Sequence, residues 1–486
     1  MINTNRSTNR CTNRGTSFVL GCTAALLATG SLLPCASHAQ PSAPSARAFP
    51  SDSAVLAIIR QRVEEKRSAG IVVGMIDAAG RTRIVAFGDP GPGRPPLDGN
   101  TVFEIGSISK VFTSTVLAQM VLEQKVSLDD PVGKFLPSSV RVPTRNGKVI
   151  TLGTLSVQNS GLPRMPDNFR PKDPANPYAD YSVQQMYDFV TGYELSRDPG
   201  ARFEYSNLGV GLLGHALALA AGTSYEELAR ARIWAPLGMT RTAITLSPWM
   251  RQHLALGHDD GGAVVPLWDL PTFAGAGAIR SNAVDMLKFI EANLHPERGA
   301  MGKAMAFAHE ERASVGSAAA GIGLNWMIRH AGGDTIVWHN GGTGGFRTFA
   351  GFIGARKIGV VVLTNSGNAG ADDIGLHLLD PGIALAPRPA TRKPRAAITV
   401  PAGVFERYVG SYQLAPAFAI EITIRDGALF LQATGQGMVR LWPEAETEFF
   451  LEEVDAQVSF IRDPQGAVTS LVLHQNGQDV PGLKVK

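Results

Sequence analysis

Ser107 and Lys110 stand three residues apart in Glu104-Ile105-Gly106-Ser107-Ile108-Ser109-Lys110-Val111-Phe112-Thr113, the only Ser-x-x-Lys of the chain. On a helix, residues at that spacing share a face and their side chains meet. A serine hydroxyl is a poor nucleophile until a neighbour takes its proton, and a lysine stripped of water becomes neutral enough to do so. The pair is therefore suited to attack on a carbonyl. Amide N–H groups at a helix start would face the oxyanion that such an attack creates. Val111, Thr115, Ala118 and Leu122 supply an apolar stripe, which predicts a helix beginning at Ser107. Read alone, the spacing is better explained by an N-capping serine with a solvated lysine.

Two further clusters decide between those readings. Pro199-Gly200-Ala201-Arg202-Phe203-Glu204-Tyr205-Ser206-Asn207 reads as a turn entering an apolar helix from Leu208 to Ala221, and it holds the only Tyr-x-Asn. A phenol beside an ammonium can have its pKa lowered and shuttle a proton, and an amide can grip a peptide group. By themselves they would be a buried tyrosine and a helix-capping asparagine. Trp338-His339-Asn340-Gly341-Gly342-Thr343-Gly344-Gly345-Phe346 follows an expected strand, where bare glycines let a substrate approach the edge. A competing triplet, His330-Ala331-Gly332, reads as a hairpin turn.

Ser-x-x-Lys, Tyr-x-Asn and a strand-borne Lys/His-x-Gly, in this order, resemble the class C β-lactamases and the related D-Ala-D-Ala peptidases and esterases. The likeness continues from His339 to Asn365, and through Ser127 to Val132 and Leu155 to Pro163. It implies that Ser107 forms an acyl-enzyme while Lys110 and Tyr205 handle its proton. It also implies that the N–H groups of Ser107 and Gly342 form an oxyanion hole and that Asn207 holds the acyl-side amide. Gly341 and His339 belong to the strand that a substrate lies along. Efficient class C enzymes carry Lys where this chain has His339, and a His there resembles D-amino-acid-specific peptidases of the group. With an ordinary histidine pKa, His339 would be mostly neutral at pH 7 and would favour carboxylate substrates more as pH falls towards 6. The expected substrates are D-Ala-D-Ala-type peptides or β-lactams. A carboxylesterase and a non-hydrolysing penicillin-binding sensor are the alternatives.

The elements that must position these residues are legible in outline. Asp52 to Ala69 reads as a helix with Val55, Ile59 and Val63 inward, and Ile71–Met75 with Arg83–Phe87 as a β-hairpin. A mostly helical stretch runs from Ser107 to Leu294. Within it Thr223 and Glu226 have capping-box spacing, and a helix after Ser281-Asn282 carries Met286, Phe289 and Ile290. Strands return at Thr335–His339, Phe346–Ile353 and Gly359–Asn365, with a helix at Asp372 to Leu379. The fold class expected is therefore α+β: an antiparallel sheet flanked by helices, with an inserted helical subdomain.

Residues 386–403 read as a Pro/Arg/Ala linker, and 404–486 as a small all-β sandwich or barrel that resembles a lipocalin-like domain. Its expected strands are Ala419–Ile424, Leu429–Ala433, Val439–Pro443, Phe449–Glu453, Gln457–Ile461 and Ser470–Gln475, with a turn at Asn476-Gly477. The hydrolase-like region is 52–385.

Arg6, Arg10 and Arg14 precede an apolar run from Phe18 to Leu33 and the small residues of Ser37-His38-Ala39, the pattern of a cleaved signal peptide over 1–39. A spacer follows over 40–51, and the mature protein is expected in the periplasm or outside the cell. Cleavage would take the formal charge from +3 to zero, and with it Cys11, Cys22 and Cys35, the only cysteines. No bulk attraction for nucleic acid, no stable membrane anchor, no disulfide and no Cys-ligated metal are then expected. No cofactor is expected either: the lack of His-Glu-x-x-His disfavours a metalloenzyme, and the lack of a Gly-x-Ser-x-Gly elbow separately disfavours an α/β-hydrolase.

Overall fold

The computed structural model describes residues 49–387, 397–415, 418–434, 438–451, 456–475 and 478–485. The expected signal segment, most of the spacer, the middle of the linker and the Asn476-Gly477 turn lie outside these residues. Ser51 caps the first helix, α1 (Asp52–Glu64), through its Oγ, which accepts from Ala54 N at 3.3 Å. Val55 and Ile59 are buried and Val63 half-buried, as the pattern required. The helix stops before Ala69 because Lys66 turns the chain at φ 57° to enter the sheet.

Eight antiparallel strands make that sheet: β1 (Gly70–Ile76), β2 (Thr82–Gly88), β3 (Ala313–Ser317), β4 (Ala320–Ile322), β5 (Met327–Ala331), β6 (Asp334–Gly342), β7 (Arg347–Ile353) and β8 (Ile358–Thr364). Their order is β2-β1-β8-β7-β6-β5-β4-β3, so both sequence ends of the domain meet at β1 and β8. Those two strands are buried at every position. Val72, Ile76, Val361 and Leu363 face one core, and Ile71, Val73, Val360 and Val362 the other, which is why both read as unbroken apolar runs. Gly332 and Gly333 turn β5 into β6 with positive φ, so His330 does sit at a hairpin.

One sheet face is covered by α1 and a helix at Asp372–Leu379; the other carries the helical region. Its central pieces are α2 (Ser109–Leu122), α3 (Asn207–Ala221) and α4 (Ala283–Leu294). Asn282 caps α4, accepting from Asp285 N at 2.8 Å, and Met286, Phe289 and Ile290 are buried. The stripe expected on α2 holds for Val111, Thr115 and Ala118, but Leu122 is 48% exposed. The helix is buried nearly all round until its last turn emerges. The cap expected at Thr223 belongs to Ser224, which accepts from Glu227 N. Glu226 instead takes the amides of Ile244 and Thr245, each at 2.7 Å. Among the described residues no single helix is long and apolar enough to cross a membrane.

Beyond residue 397 the chain forms a closed antiparallel barrel of eight strands, with a core of its own around Tyr408, Tyr412, Phe449 and Phe460. Six of the strands lie where alternation predicts, although the one expected over Phe449–Glu453 ends at Phe450, and Glu452 and Glu453 fall outside the described residues. The two that close the barrel, Gly410–Ala415 and Gln478–Lys484, have no such pattern, and Pro481 and Gly482 interrupt the second.

Candidate active site

Gly106–Ile108 form a 3₁₀ turn and α2 proper begins at Ser109, two residues later than expected. Ser107 and Lys110 still meet, with Lys110 Nζ 2.9 Å from Ser107 Oγ. Lys110 is fully buried, and its other partners are Asn207 Oδ1 at 2.9 Å and the Ala276 carbonyl at 2.7 Å. Burial, reinforced by the positive charge of Arg164, holds its pKa well below that of an ordinary lysine. The two carbonyl oxygens can only accept. A neutral amine thus spends its two N–H groups on them and turns its lone pair towards the serine hydroxyl.

Tyr205 also meets Ser107, its hydroxyl in hydrogen-bond contact with the serine and its ring centroid 4.9 Å from Lys110 Nζ. Its phenol departs from the expectation of a lowered pKa. Burial pushes it up to about 12, against the opposing pull of the Ser107 hydroxyl and the Arg164 guanidinium. Ser206, rather than Asn207, caps α3: its Oγ accepts from Gly209 N at 2.8 Å and donates to the Pro163 carbonyl at 2.6 Å. Asn207 is left free for Lys110.

Gln158, in a left-handed conformation at φ 59°, clamps this segment. Its main-chain carbonyl accepts from Glu204 N and its side-chain carbonyl from Ser206 N, both at 2.7 Å. Its amide donates to Asn325 Oδ1 at 2.7 Å, and Asn325 donates to Ser114 on α2 at 2.8 Å.

The third element arrives on β6. Gly341 packs on the chain before the nucleophile, so that a Cβ there would stand 1.9 Å from the Ile105 carbonyl oxygen. Gly106, at φ 50°, backs onto Gly342, and a Cβ on it would lie 2.6 Å from Gly342 N. These contacts draw together the two backbone segments that bear the Ser107 and Gly342 amides. His339 comes close to Tyr205, with ring centroids 6.2 Å apart, but it is 2% exposed and its Nδ1 bonds the Asn340 carbonyl at 2.5 Å. Burial first, and then the charge of Lys110, bring its pKa down to about 3. The expected gain of charge near pH 6 is therefore corrected, because an imidazole sealed from water stays neutral there.

Ser107, Tyr205, Asn207, Gly341 and Gly342 line one cleft of about 520 Å³. Sequence reasoning missed three other walls, Arg164, Trp268 and Arg347. It also missed the buried pair behind Trp268: Glu104 accepts from Trp268 N at 2.9 Å, and Arg280 Nη2 reaches both Glu104 at 3.2 Å and the Trp268 carbonyl at 2.6 Å. The signals available were weak, since an acid three residues before a serine and lone arginines in loops are common. A larger groove, about 1360 Å³ between Met120, Ala221, Arg232, Met301 and Phe307, contains none of these groups.

Residues 55–380 match the Beta-lactamase family model, and residues 394–482 match a domain of unknown function, DUF3471. Over 317 residues the chain is 32% identical to the D-alanyl-D-alanine-carboxypeptidase/endopeptidase AmpH of Escherichia coli K12, covering 62% of this chain and 80% of that protein. Identity to penicillin-binding protein 4* of Bacillus subtilis is 27% over 418 residues, 80% of this chain and 89% of that one. The octameric penicillin-binding protein homologue from Pyrococcus abyssi has the same fold, with a TM-score of 0.60 at 23% identity over 90% of this chain and all of that one.

Proposed function

Because the chain belongs to the beta-lactamase family and is a serine hydrolase acting on amide bonds, we propose that it is an exported enzyme that cleaves D-Ala-D-Ala-type peptides or β-lactams through an acyl-enzyme on Ser107. The observation that carries this reading is the position of Lys110 Nζ, 2.9 Å from Ser107 Oγ and held there by the Asn207 and Ala276 oxygens.

The steps follow from the groups present. Lys110 Nζ accepts the Ser107 proton as Oγ bonds to the substrate carbonyl carbon. The amides of Ser107 and Gly342 receive the oxyanion. Tyr205, kept as a neutral phenol, donates its proton to the departing amine nitrogen and recovers one from Lys110. The C–N bond breaks, leaving an ester on Ser107. Water then attacks that ester, giving up its proton along the same path in reverse, and the acid product leaves. Asn207, which lines the cleft, offers its amide to the acyl-side peptide group in this reading. Export rests on the segment 1–39, and the identity of the substrates on the named relatives.

The test is intact-mass analysis after exposure to a penicillin and to a fluorophosphonate, together with release of D-alanine from a D-Ala-D-Ala peptide. One adduct on the Ser107 peptide is expected, and none in Ser107→Ala. An adduct elsewhere, or D-alanine release by Ser107→Ala at the native rate, overturns the reading.

A further inference from the structure

The main chain of Trp268 is gripped from both sides by a buried ion pair. Its N–H donates to Glu104 Oε1 at 2.9 Å and its carbonyl accepts from Arg280 Nη2 at 2.6 Å, and those two side-chain atoms lie 3.2 Å apart. Neither group of Trp268 has a main-chain partner among the described residues. We propose that Glu104 and Arg280 are positioning residues that lock the Trp268 indole across the acyl end of the Ser107 cleft, so that the indole sets the bulk of the acyl group admitted. The role rests on the reading of this cleft as the acyl-transfer site.

Trp268 spans the space between two walls. Its ring centroid lies 5.3 Å from that of Tyr178, and its Nε1 lies over Gly344, where a Cβ would come within 2.8 Å of it. Tyr178 in turn meets the side chain of Asn207, the amide offered to the acyl-side peptide group. The indole therefore stands at that end of the cleft, as a half-buried bar between Tyr178 and the turn after β6.

The grip is built into the frame that carries the nucleophile. Glu104 stands opposite Arg280, and Phe103 opposite Ser281, in a two-residue antiparallel ladder. Ile105 N donates to the Ile279 carbonyl at 3.1 Å, and Ile279 N to Ser109 Oγ at 3.1 Å, one bond on each side of Ser107. Arg280 Nη1 donates to the Ile244 carbonyl at 2.9 Å, and Asp269 Oδ1 lies 3.3 Å from Nη2 at the exposed rim. The side chains of Arg280 and Glu104 are only 5% and 3% exposed. A pair buried so completely loses in hydration about what it gains in attraction, so what it adds over apolar packing is a fixed set of donors and acceptors. Here that set matches the N–H and the carbonyl of one residue, and the side chain of that residue faces the substrate.

The experiment measures kcat/KM of the full chain for p-nitrophenyl phenylacetate and p-nitrophenyl acetate, which differ in the acyl group alone. Trp268→Ala should raise the phenylacetate-to-acetate ratio by about tenfold or more. Glu104→Gln combined with Arg280→Met, which leaves no unpaired buried charge, should raise it at least about threefold. In a Trp268→Ala background the paired substitution should leave the ratio unchanged, because no ring remains to be held. A merely structural pair would lower both rates together in either background. Arg280→Lys, which keeps the charge on a shorter reach, serves the same comparison if the paired variant does not fold. An unaltered ratio in Trp268→Ala, or a ratio that the pair shifts equally with and without the indole, overturns the proposal. Labelling of native Ser107 by a fluorophosphonate reports on the acyl-transfer reading separately.

Discussion

Gln158 holds Ser206 and thereby Tyr205: its side-chain carbonyl accepts from Ser206 N at 2.7 Å while its own backbone carbonyl takes Glu204 N. The phenol is thus suspended between two bonds to one residue. Gln158→Leu should lower kcat by about tenfold or more with a smaller change in KM, because the proton path is misplaced and the cleft stays open. Gln158→Glu keeps an acceptor for Ser206 and should retain more activity. Steady-state kinetics with melting curves check this; a fall in Tm at native kcat would mean that the residue is only structural.

Gly106→Ala tests the amide pair. A Cβ at φ 50° would stand 2.6 Å from Gly342 N and force the two segments apart. A kcat loss on the order of a hundredfold is expected if the amides stabilise an oxyanion. Measured acylation rates, with circular dichroism to confirm folding, decide the matter.

Lys110 and Tyr205 serve one proton path. Lys110→Ala and Tyr205→Phe should each cost about a hundredfold or more in kcat, and the double variant far less than their product. With its pKa lowered by burial, Lys110 is protonated as pH falls through that value, so kcat/KM should fall on the acid side. The unfolded lysine holds its proton up to its ordinary pKa, so stability rises with pH between the folded and unfolded values. Lys110→Met should therefore melt above the native protein near neutral pH, with the advantage shrinking towards about pH 10.5. Melting curves across pH supply the check.

His339 titrates in the opposite window. Its folded pKa of about 3 lies below the unfolded value, so the native protein should lose stability as pH falls from about 6.5 towards 3. His339→Gln, which keeps a donor for the Asn340 carbonyl, should remove that loss. The shapes of the two kcat/KM profiles should superimpose from pH 6 to 8, and a limb near 6 that disappears with His339 would contradict the neutral assignment.

What could be read in advance was local. Ser107 with Lys110 follows from helical spacing, and Tyr205 with Asn207 from a rare short pattern beside a helix start. β1 and β8 announced themselves as apolar runs of strand length. Gln158 and Arg164 could not be found that way, because their contacts are with chain some 40 to 170 positions distant, and Arg347 comes to the cleft only through the packing of the fold; none carries a period of its own. The Thr223 cap failed for a related reason: Ser224 offers the same hydroxyl one residue on, and Glu226 was already committed to the Ile244–Thr245 loop. His339 was placed correctly in the strand, but its burial, which decides its charge, is a property of the packed molecule.

The chain leaves the hydrolase fold under restraint. Ala386 donates to Asp373 at 2.7 Å, its carbonyl receives Arg62 at 3.3 Å and Arg67 at 3.4 Å, and Arg62 is itself paired with Asp373. Any tug arriving along the linker therefore meets a mooring shared by the end of α1 and the start of the Asp372–Leu379 helix. That anchorage lies on the sheet face covered by α1 and the Asp372–Leu379 helix, opposite the one against which the Ser107-bearing helical region packs.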